Sequence, residues 1–155
     1  MTKKDIETLQ HVLRSYRKYL EYLGDLAERR ARIKNELHDP SRPIILDGLP
    51  HGTEKTDGMD RVAKYIDQLD QLDAQIDAEM VKTMTNCREV YGIIAKLPYG
   101  DERRVLEMRY LDGAHGWDIA EKINCSIATV WRRHSAGLAM LAELPEVQAI
   151  IQRYA

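Results

Sequence analysis

Apolar residues in the first part of the chain recur in alternating steps of three and four. They are Ile6, Leu9, Leu13, Tyr16, Leu20, Leu23 and Ala27. This spacing keeps them on one stripe of a helix, while charged residues occupy the positions between them. After Gly24 the stripe shifts by one position, to Leu26, Ile33 and Leu37. The pattern predicts one long amphipathic helix over residues 4–37, with a local change of winding near Gly24.

A second stripe with the same alternation occupies the middle of the chain. Its members are Val62, Ile66, Leu69, Asp73, Ile76, Met80, Thr83, Cys87, Val90, Ile94 and Leu97. They predict a helix over residues 57–97, with Thr56 as its N-cap and Pro98-Tyr99-Gly100 as its end. Pro40 and Pro43 end the first helix, because proline disfavours helical geometry in the residue before it. Residues 38–56 are therefore expected to form a connecting loop.

Neither stripe can be buried by its own helix, so we expect the two helices to pack against each other. The two stripes most simply face each other in a long antiparallel helical hairpin, a coiled coil in which the numbers of facing residues sum to about 100. Asp73 is the one charged member of the second stripe. It is predicted either to pair with Arg30, with Asp70 as a competitor, or to reach solvent through a slight rotation of the helix.

The C-terminal part has shorter apolar runs, separated by residues that favour helix ends. Asp101 is a predicted cap for a helix over residues 102–111, which Gly113 ends. Val105, Met108 and Leu111 would pack under the following helices. A short second helix follows, with Ile119, Ala120 and Ile123 on its buried face and Trp117 on the same side. A further amphipathic helix after Pro145 is expected to cover this core or a partner subunit.

The second of these helices is predicted to turn sharply into a third. Asn124 and Cys125 form the break, since asparagine tolerates a left-handed backbone better than most residues. Ser126 is positioned to cap the third helix. The apolar side of that helix consists of Val130, Leu138 and Leu141. A helix, a tight turn and a second capped helix together predict a helix-turn-helix.

The opposite side of the third helix carries the candidate DNA-binding residues Ser126, Ala128, Thr129, Arg132 and Arg133. Small and hydroxyl-bearing residues at a helix N-terminus allow a close approach to base edges, and arginine binds guanine or phosphate. His134 is expected near a phosphate or half-buried. Trp131 is expected beside the DNA-facing side or against the hairpin.

The C-terminal residues resemble region 4 of bacterial sigma factors, and still more the phage ArpU/RinA-like late-gene transcriptional regulators. The matching positions are Met108-Arg109-Tyr110-Leu111, Gly113, Trp117, Ile119-Ala120, Ile123, Ser126, Thr129-Val130, Arg132, His134, Leu138 and Leu141. The resemblance implies a sequence-specific DNA-binding regulator of phage or prophage origin. Arg133 stands where relatives place an apolar residue, and Gly137 where they place alanine. Both departures are expected to loosen the packing of the third helix.

Composition limits which kinds of functional site the chain is expected to contain. The chain has 31% charged residues and no phenylalanine, a composition that favours long exposed helices. Because its net charge is −2, any DNA affinity must come from a local patch of positive charge. The cysteines, Cys87 and Cys125, lie far apart, and the five histidines form no metal-binding or catalytic pattern. We therefore expect no metal, no cofactor and no enzymatic activity. Without a signal peptide or an apolar membrane span, the bacterial cytoplasm is the expected location.

The chain is thus predicted to be all-α, with a hairpin over residues 1–100 and a helix-turn-helix domain over residues 101–155. Its expected function is transcriptional regulation on double-stranded DNA. The hairpin would serve self-association, most simply as a dimer, or contact with host RNA polymerase. Two alternatives stay open: a small terminase subunit that packages DNA as a ring, and a helix-turn-helix that binds proteins and no longer binds DNA.

Overall fold

A computed structural model describes residues 2–38 and 55–155, with the side chains of 55–58 excepted. Helix accounts for 86% of these residues and no strand occurs among them, which confirms the all-α prediction. The helices of the described chain are α1 (Lys3–His38), α2 (Lys55–Ile94), α3 (Asp101–Tyr110), α4 (Gly116–Lys122), α5 (Ile127–Ala142) and α6 (Pro145–Tyr154).

The chain divides into two compact units, each of which contains part of both long helices. The first comprises the described residues up to Leu20 together with Lys82–Ala155, and the second the described residues of Glu21–Val81. In the first unit Asn86 Nδ2 donates a hydrogen bond to Ser15 Oγ at 2.9 Å. In the second, Gln75 Nε2 donates to the Tyr22 hydroxyl at 2.8 Å. Both contacts pair α1 with α2 in antiparallel order, as the predicted hairpin requires.

The ends of α2 differ from the prediction. The helix begins at Lys55, so Thr56 lies within it and the predicted N-cap is wrong. It ends at Ile94, after which the backbone N–H groups of Lys96 and Leu97 donate to Ile93 and Ile94. These bonds span three residues and tighten the last turn before Pro98, which disfavours helical geometry at Leu97. The predicted loop, apart from its first and last residues, lies outside the described residues.

The second unit has little buried apolar surface among its described side chains. Leu26 is fully buried there, which confirms the predicted shift of the first stripe, and Ala27 is exposed. Ile66 and Met80, two predicted members of the second stripe, are 46% and 47% exposed. Arg30 and Asp73 form the predicted ion pair, with side chains 40% and 46% exposed. An ion pair so open to water contributes little stability. Its position is compatible with the predicted antiparallel register of the two helices.

The first unit has a continuous core to which α1, α2, α3, α5 and α6 contribute. Its buried members are Leu9, Val12, Leu13, Val90, Ile93, Ile94, Leu97, Leu106, Tyr110, Leu138, Leu141, Ala142, Val147 and Ile151. The predicted C-terminal helix is confirmed as α6, which buries Val147 and Ile151 here. Parts of the hairpin helices therefore share one core with the C-terminal helices. The domain boundary near residue 100 stays a prediction, because packing alone does not divide the chain there.

Candidate nucleic-acid interface

The helices α3, α4 and α5 enclose a second, smaller core. Val105, Ile119, Ala120 and Val130 are buried in it, and Met108, Ala114, Ile123 and Cys125 pack around them. Each helix contributes at least one buried residue, so the orientation of α5 depends on both of its neighbours. This three-helix arrangement, with α4 and α5 joined by a tight turn, is the architecture of a helix-turn-helix.

The turn between α4 and α5 follows the sequence prediction closely. Asn124 has a φ of 54°, the left-handed conformation expected at this position. The Cys125 N–H donates to the Ala120 carbonyl at 3.0 Å, and the Asn124 N–H to the Glu121 carbonyl at 3.3 Å. These bonds satisfy carbonyls at the end of α4 and reverse the chain within a few residues. The predicted break is confirmed.

Ser126 caps α5 as predicted. Its backbone is extended, and its Oγ accepts a hydrogen bond from the Thr129 N–H at 3.2 Å. The two hydroxyl groups also lie 2.9 Å apart, within hydrogen-bonding distance of each other. Both hydroxyls are thus engaged in forming the helix start. For Ser126 and Thr129, a role in base recognition stays a prediction and would have to coexist with this capping arrangement.

The candidate residues on α5 differ in how freely they face solvent. Ala128 and Arg132 are exposed, and no ion pair of Arg132 occurs in the part of the chain that the structure describes. Arg133 binds Asp101 on α3, with 2.6 Å between its Nη1 and the carboxylate Oδ2. Its side chain is only 27% exposed. A DNA contact of Arg133 stays a prediction, and it would have to be made by a guanidinium group that already has a partner.

Asp101 does not cap α3, so that prediction is wrong. The N-cap is Gly100, which has no side chain to offer, and Asp101 is the first residue of the helix. Its carboxylate reaches Arg133 on α5 and approaches Arg104 one turn along α3. A negative charge in the first helical turn is favourable without capping, because the N-terminal end of a helix carries a partial positive charge.

The two departures from the family pattern tighten α5 against α3, contrary to the expectation that they loosen it. Arg133 forms the ion pair with Asp101. Gly137 is buried, and a Cβ atom there would lie 3.0 Å from Leu106 Cδ1 and 3.4 Å from the Glu102 carbonyl oxygen. Glycine therefore allows the two helix backbones to approach each other more closely than alanine would.

Trp117 is not part of the core, so that prediction is wrong as well. Its side chain is 61% exposed and stacks on His115, with 4.6 Å between ring centroids. The buried face of α4 instead begins at Gly116, which is three and four positions before Ile119 and Ala120. Trp117 follows Gly116 by about 100° of helical rotation and so points away from that face.

Gly116 is a contact point for Trp131, which packs on α4 and lies beside Arg109 of α3. A Cβ at Gly116 would lie 3.0 Å from the Trp131 ring. The Arg109 guanidinium lies 5.7 Å from the centroid of the same ring and donates through Nη1 to the Ala114 carbonyl at 3.1 Å. Trp131 is still 41% exposed. It therefore anchors the N-terminal half of α5 and also presents an aromatic surface.

His134 is more deeply buried than expected, with 7% of its surface exposed. Its Nε2 lies 2.8 Å from the Tyr110 hydroxyl, and its ring is nearly perpendicular to that of Trp131, with 5.5 Å between the centroids. Burial lowers the pKa of His134 to about 4, helped by the positive charges of Arg109 and Arg14. The imidazole is therefore neutral at pH 7 and helps to position α5, which is incompatible with a cationic contact to phosphate.

One exposed residue at the start of α5 was missed at the sequence level. Ile127, the first residue of α5, is 48% exposed and belongs to neither core. Its spacing of three from Val130 is compatible with the buried stripe, so periodicity alone does not separate the two environments. Its place directly after the Ser126 cap is the signal that could have identified it, because in a predicted helix-turn-helix the first turn of the third helix is expected to face outward.

A family model described as "Protein of unknown function (DUF1492)" matches residues 52–142, more than half of the chain. The chain belongs to the DUF1492 family. The DUF1492 match extends from the region before α2 to the last residue of α5, so it includes every candidate DNA-binding residue. No curated protein and no solved structure matches the chain.

Other kinds of site were sought among the residues that the structure describes. No group of three or more His, Cys, Asp or Glu side chains there is arranged to hold a metal ion. Cys87 and Cys125 are both free thiols. Within the same residues, no helix combines the length and the apolar character needed to cross a membrane.

Proposed function

We propose that the protein is a sequence-specific, DNA-binding transcriptional regulator of phage or prophage origin, with α5 as its recognition helix. The observation that carries this proposal is the capped, solvent-facing start of α5. It follows the left-handed turn at Asn124, and the buried side of α5 packs against α3 and α4. Ala128 and Arg132 are exposed on this surface. The resemblance to ArpU/RinA-like regulators supports the same function.

The proposed binding mode places the first two turns of α5 in the major groove of double-stranded DNA. A helix fits that groove when its outward side chains are small near the N-terminus, which is the case at Ala128. Arg132, one turn further along the exposed side, is within reach of a guanine edge or a phosphate. Gly137 and the Arg133–Asp101 pair support this mode by holding α5 against α3.

Electrostatics limit how strongly one copy would bind. The whole chain has a net charge of −2, and Arg103 and Arg133 are paired with carboxylates in the described residues. An arginine that is already paired has less charge to offer a phosphate, so we expect modest counterion release for one copy. We propose that two copies bind together, with the hairpin serving self-association or contact with host RNA polymerase.

A second candidate is a helix-turn-helix that binds a protein partner. The observation in its favour is the apolar character of the exposed surface, where Ile127, Trp117 and Trp131 are 48%, 61% and 41% exposed. Aromatic side chains are enriched at protein interfaces. The two functions differ in their salt dependence and in whether any DNA sequence is selected.

The test is selection of duplexes from a random pool with the full-length protein, followed by titration of selected and scrambled duplexes at several salt concentrations. Arg132→Ala should weaken binding to the selected duplex about 5- to 150-fold, which corresponds to about 1–3 kcal/mol for a bidentate guanine contact. Preference at the contacted base pair should relax. If Arg132 binds phosphate instead, affinity for all duplexes should fall alike and the salt slope should drop by about one.

Arg153→Ala is the matched control, because Arg153 is an exposed arginine on α6. This variant should bind like the wild type. If the random pool yields no preferred sequence, or if Arg132→Ala changes neither affinity nor salt slope while the helical content is intact, α5 does not recognise DNA. The protein-binding function would then replace the proposal.

A further inference from the structure

The start of α5 presents an apolar side chain that the fold does not use. Ile127 is 48% exposed, whereas Val130, one turn away, is fully buried. The other large exposed apolar residues of α5 are Trp131 and Met140. Trp131 is engaged by Gly116, Arg109 and His134. Met140 lies in the C-terminal half of the helix.

Local helix formation does not require isoleucine at position 127. Ser126 supplies the cap through its hydroxyl, and the first helical residue needs no particular side chain. Isoleucine is also a weaker helix former than alanine or leucine, because its β-branch restricts rotation in a helix. Neither capping nor helix propensity therefore accounts for an exposed isoleucine at this position.

The chemistry of the major groove defines what such a side chain can recognise. Guanine and adenine present hydrogen-bonding atoms there, cytosine presents an amino group, and thymine alone presents a methyl group at C5. Ile127 and the adjacent exposed Ala128 have only apolar side-chain atoms to offer. The neighbouring hydroxyls of Ser126 and Thr129 are already engaged with each other. The first turn of α5 therefore matches a methyl group better than a polar base edge.

We propose that Ile127 is a specificity-determining residue that contacts the C5 methyl group of a thymine in the recognised DNA. This inference rests on the proposed function of α5 as a recognition helix. It implies that the preferred site contains an A·T pair where the helix start meets the groove. Arg132, more than one turn further along the helix, would contact a different base pair or its phosphate.

The experiment uses the full-length protein and the duplex obtained by selection, with each thymine replaced in turn by deoxyuridine. This replacement removes only the C5 methyl group and leaves base pairing intact. If two copies bind together, each contacts its own half of the DNA site. For the wild type, replacing one particular thymine in such a half-site should weaken binding about fourfold, which is the effect of losing one buried methyl group. In Ile127→Ala the same replacement should have no further effect.

Two further variants control for the fold and for apolar contacts in general. Ile127→Val keeps a branched apolar surface and should keep sensitivity to deoxyuridine at the same position. Met140→Ala removes an apolar side chain that is 41% exposed on the C-terminal half of α5, and it should bind every duplex like the wild type. Because Ile127 lies outside both cores, Ile127→Ala should retain its helical content and its unfolding midpoint.

The outcomes separate this inference from the proposed function. If the wild type selects a sequence but tolerates deoxyuridine at every position, thymine recognition is overturned while DNA recognition by α5 stands. If sensitivity persists in Ile127→Ala, another residue contacts the methyl group and the assignment to Ile127 is overturned. If no duplex is selected at all, the proposed function fails, and this inference fails with it.

Discussion

The buried histidine of α5 predicts a specific loss of stability on mild acidification. His134 has a pKa of about 4 in the folded protein, chiefly because burial disfavours its charged form. In the unfolded chain an exposed histidine titrates near 6.5. Between these two values the unfolded state binds more protons than the folded state. The free energy of unfolding therefore falls as the pH drops from about 6.5 towards 4, and this contribution stops falling below the folded pKa.

The expected magnitude follows from the difference between the two pKa values. At about pH 5 the unfolded histidine is mostly protonated, while His134 in the folded protein is mostly neutral. The pH then lies about 1.5 units below the unfolded pKa, and each unit corresponds to about 1.4 kcal/mol, so the expected loss is roughly 2 kcal/mol. The pH range from about 6.5 to about 5 lies above the pKa of most carboxylates, so carboxylates contribute little to this change in the free energy of unfolding.

The assay is urea unfolding followed by circular dichroism, at about pH 7.5 and about pH 5, with the free energy of unfolding obtained by linear extrapolation. His134→Gln keeps a polar side chain beside the Tyr110 hydroxyl but cannot take up a proton, so its stability should change about 2 kcal/mol less than that of the wild type over this range. His11→Gln, at an exposed position on α1, should follow the wild-type change. Equal losses in the wild type and in His134→Gln would refute the reasoning.

Two further predictions concern packing and assembly. Gly137→Val should lower the free energy of unfolding by about 1–3 kcal/mol, because the added atoms would overlap Leu106 and the backbone of α3. Gly92→Val is the control, because a Cβ there meets nothing within 4 Å. Urea unfolding should show no such loss for this control. Light scattering of the full-length protein should give the mass of a dimer, as expected for a regulator whose hairpin self-associates. A ring of many subunits would favour the DNA-packaging alternative, and a monomer would contradict self-association.

Much of the local structure could be predicted because its causes lie within a few residues. Alternating steps of three and four predict the two long helices and their antiparallel pairing, and the Arg30–Asp73 pair fits the predicted register. The left-handed Asn124 and the cap at Ser126 depend on backbone preferences and on a hydrogen bond three residues away. Such features are set by local sterics and hydrogen bonding, which the sequence displays directly.

The predictions that failed depend on neighbours distant in the chain. Trp117 was expected on the buried side of α4, but Gly116 occupies the buried position and Trp131 packs against it. Asp101 was expected to act as a cap, yet its carboxylate binds Arg133, more than thirty residues away. Periodicity does not specify which of two adjacent residues faces a partner helix.

The sequence by itself determined an all-α chain, its long amphipathic helices and the helix-turn-helix with its capped third helix. Tertiary structure alone decided how deeply several residues of α5 are buried and what they contact. It buries His134 against Tyr110, ties Arg133 to Asp101 and leaves Ile127 in solvent. The physical reason is that helical periodicity specifies a stripe, whereas the depth of each residue depends on the shape of the helices packed against it. Packing is close enough that one Cβ atom at Gly137 would change the approach of α5 to α3.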